Sequence, residues 1–195
     1  MKFLYGHLVE TLVLWLAKEA GHTVERQQEC VEVDGVRGAI DAVVDGYLVD
    51  VKSMSSYSFN SLEKYGLAND PFGYSGQLAG YKQGLGTSVK DGMYILGVDK
   101  QNGHVAAVRV TTDLDAEERI AEIREDSQSD EPPPRPYTDK PEGASGNRML
   151  GIECSYCAFK RTCWPGLRTF LYSNGPKFLT HVEMPPRVQE VSSEV

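Results

Sequence analysis

Between Gly38 and Ser53, hydrophobic and polar residues alternate around an Asp45-Gly46 pair, and this pattern predicts a β-hairpin. An Asp-Gly pair between two runs rich in β-branched residues favours a two-residue type I′ turn. The turn fixes the predicted register, which pairs Val44 with Tyr47, Val43 with Leu48, Ala42 with Val49, and Asp41 with Asp50.

Two carboxylates face each other in this predicted hairpin. Because side chains alternate along a strand, Asp41, Asp50 and Lys52 should share one face. The opposite face should carry Ile40, Ala42, Val49 and Val51. Like charges paired across strands destabilise a sheet, so the pattern predicts a divalent cation between the carboxylates, with Lys52 placed to hold a water or the charge on a phosphate. The alternative is a hairpin rim that carries solvated charges.

Helical spacing occurs in three stretches. The first, Leu4 to Ala20, ends before Gly21, and Leu8, Leu12, Trp15 and Leu16 are predicted to form its buried face. The other predicted helices are 72–85 and 113–126. Strands are predicted within 23–36 and at 92–98 and 105–110, with a surface segment containing one short helix at 53–71.

The carboxyl-terminal third has a different composition. Residues 127–147 are rich in Pro and Gly and predict a long surface loop, and residues 150–180 form a cysteine-containing tail. We expect residues 1–195 to form a single domain, since this length can bury one hydrophobic core.

Composition restricts the function classes. The chain has 195 residues, 41% of them hydrophobic, and a formal net charge of -8. This acidity argues against binding nucleic acid by bulk charge alone, but it is compatible with a carboxylate metal site. The amino terminus does not match a signal peptide, and no apolar run reaches the roughly 20 residues of a membrane span. We therefore expect a cytoplasmic protein.

The predicted hairpin resembles the core of the PD-(D/E)XK nuclease superfamily. Asp41 matches the first acidic residue, and Asp50-Val51-Lys52 matches the (D/E)-X-K element. The resemblance implies an α/β, restriction-endonuclease-like core, α-β-β-β-α-β, whose mixed central sheet is flanked by helices. It also implies Mg²⁺ or Mn²⁺ bound by Asp41, Asp50, the Val51 carbonyl and a ligand from the first helix, either Glu10, which we favour, or His7.

A second motif follows on the predicted helix at 72–85. Gln77 and Tyr81 share one helical face, and this spacing resembles the QxxxY motif of the RecB-like branch, which implies a role in binding DNA. Upstream aromatic side chains are candidates for stacking on unpaired bases or, equally, for ordinary packing: Tyr57, Phe59 and Tyr65.

Four cysteines form the third candidate site. Cys154, Cys157 and Cys163 are spaced to reach one metal centre, and a cytoplasmic protein keeps its thiols reduced. With Cys30 upstream, the arrangement resembles the iron-sulfur staple of RecB-like nucleases, although there the early cysteine usually precedes the first helix. A 4Fe-4S cluster is favoured, and zinc or reduced packing thiols are the alternatives. Basic residues near the cysteines are candidates for backbone contacts to DNA: Lys160, Arg161, Arg168 and Lys177.

These resemblances imply a metal-dependent deoxyribonuclease. We expect an exonuclease that prefers single-stranded or end-bearing DNA and serves recombination or repair in a phage or mobile element, where recombination or replication proteins are possible partners. A structure-specific or junction-resolving endonuclease would use the same ligands. The alternative from another class is a non-catalytic DNA-binding accessory protein built around the cysteine cluster.

Overall fold

The computed structural model describes residues 2–68, 70–131 and 133–191. The chain divides into two compact units, Met1–Ser129 and Asp130–Val195. No helix among the described residues is long and apolar enough to cross a membrane.

Among its described residues, the first unit contains four α-helices, one 3₁₀ turn and seven strands. The helices are α1 (Lys2–Glu19), α2 (Ser56–Tyr65), α3 (Tyr74–Leu85) and α4 (Ala116–Gln128), and the 3₁₀ turn is Gly86–Ser88. The strands are β1 (Val24–Glu25), β2 (Cys30–Val33), β3 (Val36–Ala39), β4 (Ala42–Val44), β5 (Tyr47–Met54), β6 (Met93–Asp99) and β7 (Val105–Val110).

Five of these strands form one mixed sheet in the order β1-β4-β5-β6-β7. Strands β5 and β6 are parallel, and the other neighbours are antiparallel. Strand β5 is the central strand, and its apolar residues are buried on both faces, as expected for a strand covered on both sides. The predicted α/β fold with a mixed central sheet flanked by helices is confirmed.

The sheet carries a hydrophobic core on each face. On one face, Val13 and Leu14 of α1 belong to a cluster with Ala42, Val51 and Val98. On the other face, α2 and α3 contribute the larger cluster, whose buried members include Phe59, Leu62, Leu78, Leu85, Leu48 and Ile95. Helices therefore enclose the sheet from both sides.

The predicted central hairpin is present. Asp45 and Gly46 both have positive φ, 51° and 86°, as a type I′ turn requires. Strands β4 and β5 pair in the predicted register from Ala42↔Val49 to Val44↔Tyr47.

The prediction fails just before β4, where the ladder ends. Ile40 donates its backbone N–H to Glu29, outside the main sheet, and Asp41 has no partner in the β4–β5 ladder. The alternation of faces therefore breaks, and Ile40 packs in the larger core rather than beside Ala42 and Val51.

The predicted buried face of the first helix was wrong. Helix α1 buries Val13 and Leu14, whereas Leu8, Leu12, Trp15 and Leu16 are exposed. Both faces of the helix are apolar, so the spacing of its leucines could not identify the face that packs on the sheet.

Other boundaries also differ from the predictions. Residues 23–36 contain β1, β2 and the first residue of β3 rather than one strand, and an Asp34-Gly35 turn folds β2 onto β3. Within the segment at 53–71, the helix predicted there is present as α2, which is ten residues long. The predicted loop at 127–147 includes the end of α4 and a short strand. Helix α3 and strands β6 and β7 agree with prediction to within two residues.

The second unit contains a five-stranded antiparallel sheet that the sequence analysis did not anticipate. Its strands are β8 (Lys140–Pro141), β9 (Arg148–Met149), β10 (Arg168–Tyr172), β11 (Gly175–His181) and β12 (Glu190–Val191), in the order β12-β10-β11-β9-β8. Two short helices, α5 (Ile152–Ser155) and α6 (Lys160–Cys163), carry the three late cysteines or adjoin them.

Candidate active site

Asp41 lies where the chain passes from β3 to β4. Its Oδ2 atom accepts a hydrogen bond of 2.7 Å from the backbone N–H of Val51, and its backbone carbonyl accepts one of 3.3 Å from Gln28. Burial raises the pKa of the Asp41 carboxyl, while the hydrogen bond from Val51 opposes that rise. The side chain thus crosses the end of the hairpin and attaches to β5.

Asp50 and Lys52 form an ion pair on β5. The Asp50 side chain is 2% exposed, and Lys52 Nζ lies 2.9 Å from its Oδ1 and 2.7 Å from its Oδ2. Burial raises the pKa of Asp50 to about 6, although the charge of Lys52 favours the ionised form. Burial by itself would lower the pKa of Lys52, but the charge of Asp50 raises it overall.

Glu10 is the acidic side chain that α1 contributes. Its Oε1 accepts a hydrogen bond of 2.6 Å from Gln28 Nε2, and its Oε2 lies 3.4 Å from Nδ1 of His7. Only 14% of the Glu10 side chain is exposed, against 67% for His7. Partial burial raises the pKa of Glu10, and the nearby charge of Asp41 raises it further. Of the two predicted helix ligands, Glu10 is therefore the better enclosed.

The three carboxylates share one electrostatic environment, because Asp41 and Glu10 both add to the pKa rise at Asp50. Within the described part of the chain, however, no group of three His, Cys, Asp or Glu side chains is arranged to hold a metal ion. Each carboxylate instead contacts a protein donor: Gln28 at Glu10, the Val51 amide at Asp41 and Lys52 at Asp50.

A divalent cation nevertheless fits this donor set. Asp50 is almost fully buried, and among the described residues its Oδ2 is matched by the Lys52 ammonium alone, at 2.7 Å. Hard cations take carboxylate oxygens as ligands, and two further carboxylates lie in the same environment. The residues that would hold the ion are Asp50, Asp41 and Glu10.

Two residues near the site were missed by the sequence analysis. Tyr74, the first residue of α3, places its ring 5.0 Å from Lys52 Nζ. Asp70 fixes the start of that helix by accepting hydrogen bonds from the backbone N–H groups of Tyr74 and Ser75, at 2.9 and 2.8 Å. An Asp four residues before an aromatic residue at a helix start was the available signal. The other missed residue is Gln28, which reaches Glu10 from a left-handed backbone conformation, φ 56°.

Gln77 and Tyr81 contact each other on α3. Gln77 Nε2 donates a hydrogen bond of 3.0 Å to the Tyr81 hydroxyl, so the predicted shared face is present. Tyr81 also packs against Gly38, where a β-carbon would lie 2.6 Å from its ring. Gln77 is exposed, which leaves its amide accessible.

The three candidate stacking residues differ in burial. Phe59 is buried in the larger core, so it serves packing. Tyr57 and Tyr65 are exposed, at 86% and 59%.

The late cysteines lie within one short stretch of the second unit. The Cys157 N–H donates to the Cys154 carbonyl at 3.1 Å, which closes the C-x-x-C turn. Burial raises the pKa of the Cys154 thiol, and the neighbouring Cys157 raises it further. A hydrogen bond from the Trp164 side chain to the Cys154 thiol opposes that rise. The thiols are neighbours, but among the described residues no group of three His, Cys, Asp or Glu side chains is arranged to hold a metal ion there. Cys30 belongs to the first unit and is exposed.

The four basic residues near these cysteines all contact acceptors or rings in their own unit. Lys160 donates to the Cys157 carbonyl at 3.0 Å, and Arg161 donates to Leu167 and Thr169. Arg168 and Lys177 pair with carboxylates, Glu190 and Glu142. Pairing reduces the positive charge that Arg168 and Lys177 offer to a phosphate backbone.

Comparison with known proteins identifies the fold family. The family profile described as the PD-(D/E)XK nuclease superfamily matches residues 4–164, which include Asp41, Asp50 and Lys52. The chain belongs to the PD-(D/E)XK nuclease superfamily. No curated protein matches this chain significantly.

Two solved structures are similar to this PD-(D/E)XK protein. One is an alkaline exonuclease (LHK-Exo) from Laribacter hongkongensis, at 18% identity and a TM-score of 0.47, with 63% of each chain covered. The chain thus spans less than two thirds of that exonuclease. The other is SSO0001, at 17% identity and a TM-score of 0.45, with 83% of this chain and 70% of that chain covered. Neither likeness is close enough to assign an activity.

Proposed function

We propose that this protein is a metal-dependent DNA exonuclease. The observation that carries the proposal is the buried Asp50 carboxylate, which is paired with Lys52 and shares its electrostatic environment with Asp41 and Glu10. Membership of a nuclease superfamily supports the reaction class. The preference for single-stranded or end-bearing DNA rests on the resemblance to the RecB-like branch.

Each residue of the site has a distinct role in this proposal. Mg²⁺ or Mn²⁺ would be held by Asp41, Asp50, the Val51 carbonyl and Glu10. His7 is the alternative to Glu10. When bound, the ion would lower the pKa of a water and stabilise charge on the scissile phosphate. Lys52 would orient the attacking water and offset negative charge, because its ammonium already lies against Asp50.

The DNA strand would be positioned by α3. Gln77 presents an exposed amide, and Tyr81 orients it through their hydrogen bond. We also propose that Lys160 and Arg161 contact the DNA backbone. Their hydrogen bonds go to carbonyl and hydroxyl oxygens rather than to carboxylates, so the pairing leaves their positive charge unneutralised.

The test is nuclease activity on end-labelled single-stranded DNA and on closed circles, with Mg²⁺, Mn²⁺ or EDTA. Lys52→Ala should reduce metal-dependent cleavage by at least about 100-fold, because it removes the cation beside the buried carboxylate. Lys64→Ala is the matched control, since Lys64 lies on α2 and contacts the Tyr65 ring rather than a carboxylate of the site. It should cleave like the parent.

Each rival function predicts a different outcome. Metal-dependent cutting of closed circles would replace the exonuclease with a structure-specific or junction-resolving endonuclease. DNA binding with no cleavage under any metal would favour the non-catalytic accessory protein. Equal cleavage by the parent and Lys52→Ala would contradict the assigned site.

We also propose that Cys154, Cys157 and Cys163 hold a 4Fe-4S cluster, with Cys30 as the fourth ligand. The neighbouring thiols and the closed C-x-x-C turn support a shared metal. Iron, sulfide and zinc content of anaerobically purified protein would separate the cluster from a zinc site. Cys157→Ser should abolish metal retention, and Cys30→Ser tests the fourth ligand. Retention unchanged in Cys30→Ser would remove Cys30 from the ligand set.

The biological setting is proposed from resemblance alone. We assign the protein to cytoplasmic DNA recombination or repair in a phage or mobile element, acting as one nuclease domain over residues 1–195. Recombination or replication proteins are its expected partners.

A further inference from the structure

Helix α1 presents a stripe of large apolar side chains to solvent. The six residues, called here the α1 stripe, are Leu4, Tyr5, Leu8, Leu12, Trp15 and Leu16, and each is between 47% and 62% exposed. The opposite face of the helix already packs on the sheet through Val13 and Leu14. A helix that is apolar on both faces is normally covered on both, and the described residues leave the α1 stripe about half exposed.

The spacing of the stripe is that of a helix-helix contact. Tyr5, Leu8, Leu12 and Trp15 follow intervals of three, four and three residues, which is the a/d spacing of a coiled-coil seam. Leu4 and Leu16 flank the seam at its two ends. A seam of this kind packs along another helix rather than across a flat surface.

The stripe is also symmetric about its midpoint. Its residues fall into three pairs equidistant from position 10: Leu4 with Leu16, Tyr5 with Trp15, and Leu8 with Leu12. If a second α1 lies antiparallel across the first, each residue therefore meets its pair from the other copy. An interface in which residue i contacts residue j and j contacts i is what a twofold dimer requires.

We propose that the α1 stripe is the interface of an antiparallel homodimer. The stripe contains no charged residue, so it attracts no phosphate backbone and causes no like-charge repulsion between copies. A partner protein of another sequence would not require the symmetry about position 10, whereas a second copy does.

The available area is sufficient for this dimer. Six large, half-exposed side chains amount to roughly 600 Å² per copy, at on the order of 100 Å² each, which reaches the lower limit of a standard interface, about 600 Å² per partner. An apolar groove of about 460 Å³ adjoins the stripe, where Leu16 and Ala17 face Tyr94, Leu96 and Val105. Val105 is 51% exposed, so the groove adds apolar surface beside the helix.

The test is the oligomeric state of the full chain by light scattering and sedimentation over a range of concentrations. The parent should be a dimer. Leu8→Glu and Leu12→Lys should each weaken dimerisation by at least about 100-fold, because a charge would be buried against a leucine. Tyr57→Glu is the control, since Tyr57 is 86% exposed and lies outside the stripe, and it should remain dimeric.

Mixing the two variants tests the antiparallel register. In that register the new carboxylate at position 8 meets the new amine at position 12, so Leu8→Glu and Leu12→Lys should form a heterodimer that neither forms alone. In a parallel pair, position 8 meets position 8, and mixing would restore nothing. Thermal melts by circular dichroism should show both variants folded, because the substituted side chains are exposed.

Three results would overturn the proposal. A monomeric parent would mean that the stripe has another occupant or none. A parent dimer that survives both substitutions would place its interface elsewhere, and a mixture that remains monomeric would exclude the antiparallel register.

Discussion

The Lys52 ammonium lies 5.0 Å from the centre of the Tyr74 ring while also contacting the Asp50 carboxylate. The aromatic ring and the carboxylate thus hold the lysine head from two sides. The first residue of α3 is fixed by Asp70, so the ring is positioned by the helix start.

Replacing Tyr74 with Leu should remove the ring and let the Lys52 head move. We expect kcat on single-stranded DNA to fall about tenfold while KM changes little, since a cation-π contact of this kind contributes on the order of 1 kcal/mol. Tyr74→Phe keeps the ring and should retain the parent kcat. Equal loss in both variants would assign the effect to the hydroxyl instead.

Asp50 should make the metal-free protein less stable as pH rises. Its pKa is raised from 3.8 to about 6 in the folded state, so folding favours the protonated form. The resulting stability is present below pH 4 and is lost as pH rises through about 6. Asp50→Asn cannot ionise, so its free energy of unfolding should not show this fall between about pH 4 and pH 6.

Urea unfolding in EDTA between about pH 4 and pH 7 measures this difference. Adding Mg²⁺ should stabilise the parent but not Asp50→Asn, because a bound ion stabilises the ionised carboxylate. A difference between the two proteins that does not change with pH would contradict the raised pKa.

Gln28→Ala should weaken metal binding by about tenfold, because second-shell partners orient metal ligands. Gln28 holds one oxygen of Glu10 through a hydrogen bond of 2.6 Å, and the other oxygen lies 3.4 Å from Nδ1 of His7. The adjacent Gln27 contacts Lys18, so Gln27→Ala is a matched control. Titration with Mn²⁺ by calorimetry compares the two, and equal affinities would exclude a supporting role for Gln28.

Gly38→Ala should displace Tyr81, because the new methyl group would lie 2.6 Å from the Tyr81 ring. Overpacking of this kind costs about 1–3 kcal/mol, and the shifted tyrosine should also weaken binding of single-stranded DNA. Gly80→Ala in α3 is the control. Its methyl group would meet its nearest neighbour at 4.0 Å, and replacing a helical glycine with alanine should stabilise the protein by up to about 1 kcal/mol. Thermal unfolding and fluorescence anisotropy measure both effects.

The central hairpin could be predicted because its signals are local. Asp45 and Gly46 fix the turn, and the turn fixes the register of the residues beside it. The same Asp-Gly signal stands at Asp34-Gly35 and predicts the β2–β3 hairpin, but the sequence analysis interpreted that segment as one strand.

The features that sequence could not predict depend on contacts distant in the chain. Gln28 is 18 residues from Glu10, and no spacing rule connects them. Packing against the sheet determines which face of α1 is buried, because both faces of the helix carry apolar residues. Among the described residues of the second unit, the strands β8, β9 and β12 are two residues long, too short for a period to be recognised.

The central position of β5 has a consequence for the order in which the parts of the candidate site unfold. Strand β5 pairs with β6 from Leu48 to Met54 and with β4 from Tyr47 to Val49, so its bonded amides should exchange with solvent only when the β5–β6 ladder opens. Asp50 and Lys52 therefore belong to the most slowly exchanging part of the first unit, whereas Glu10 and Tyr74 lie on helices that can detach first. Mild denaturant should thus abolish activity while the sheet is still intact, through loss of the helices that carry those two side chains.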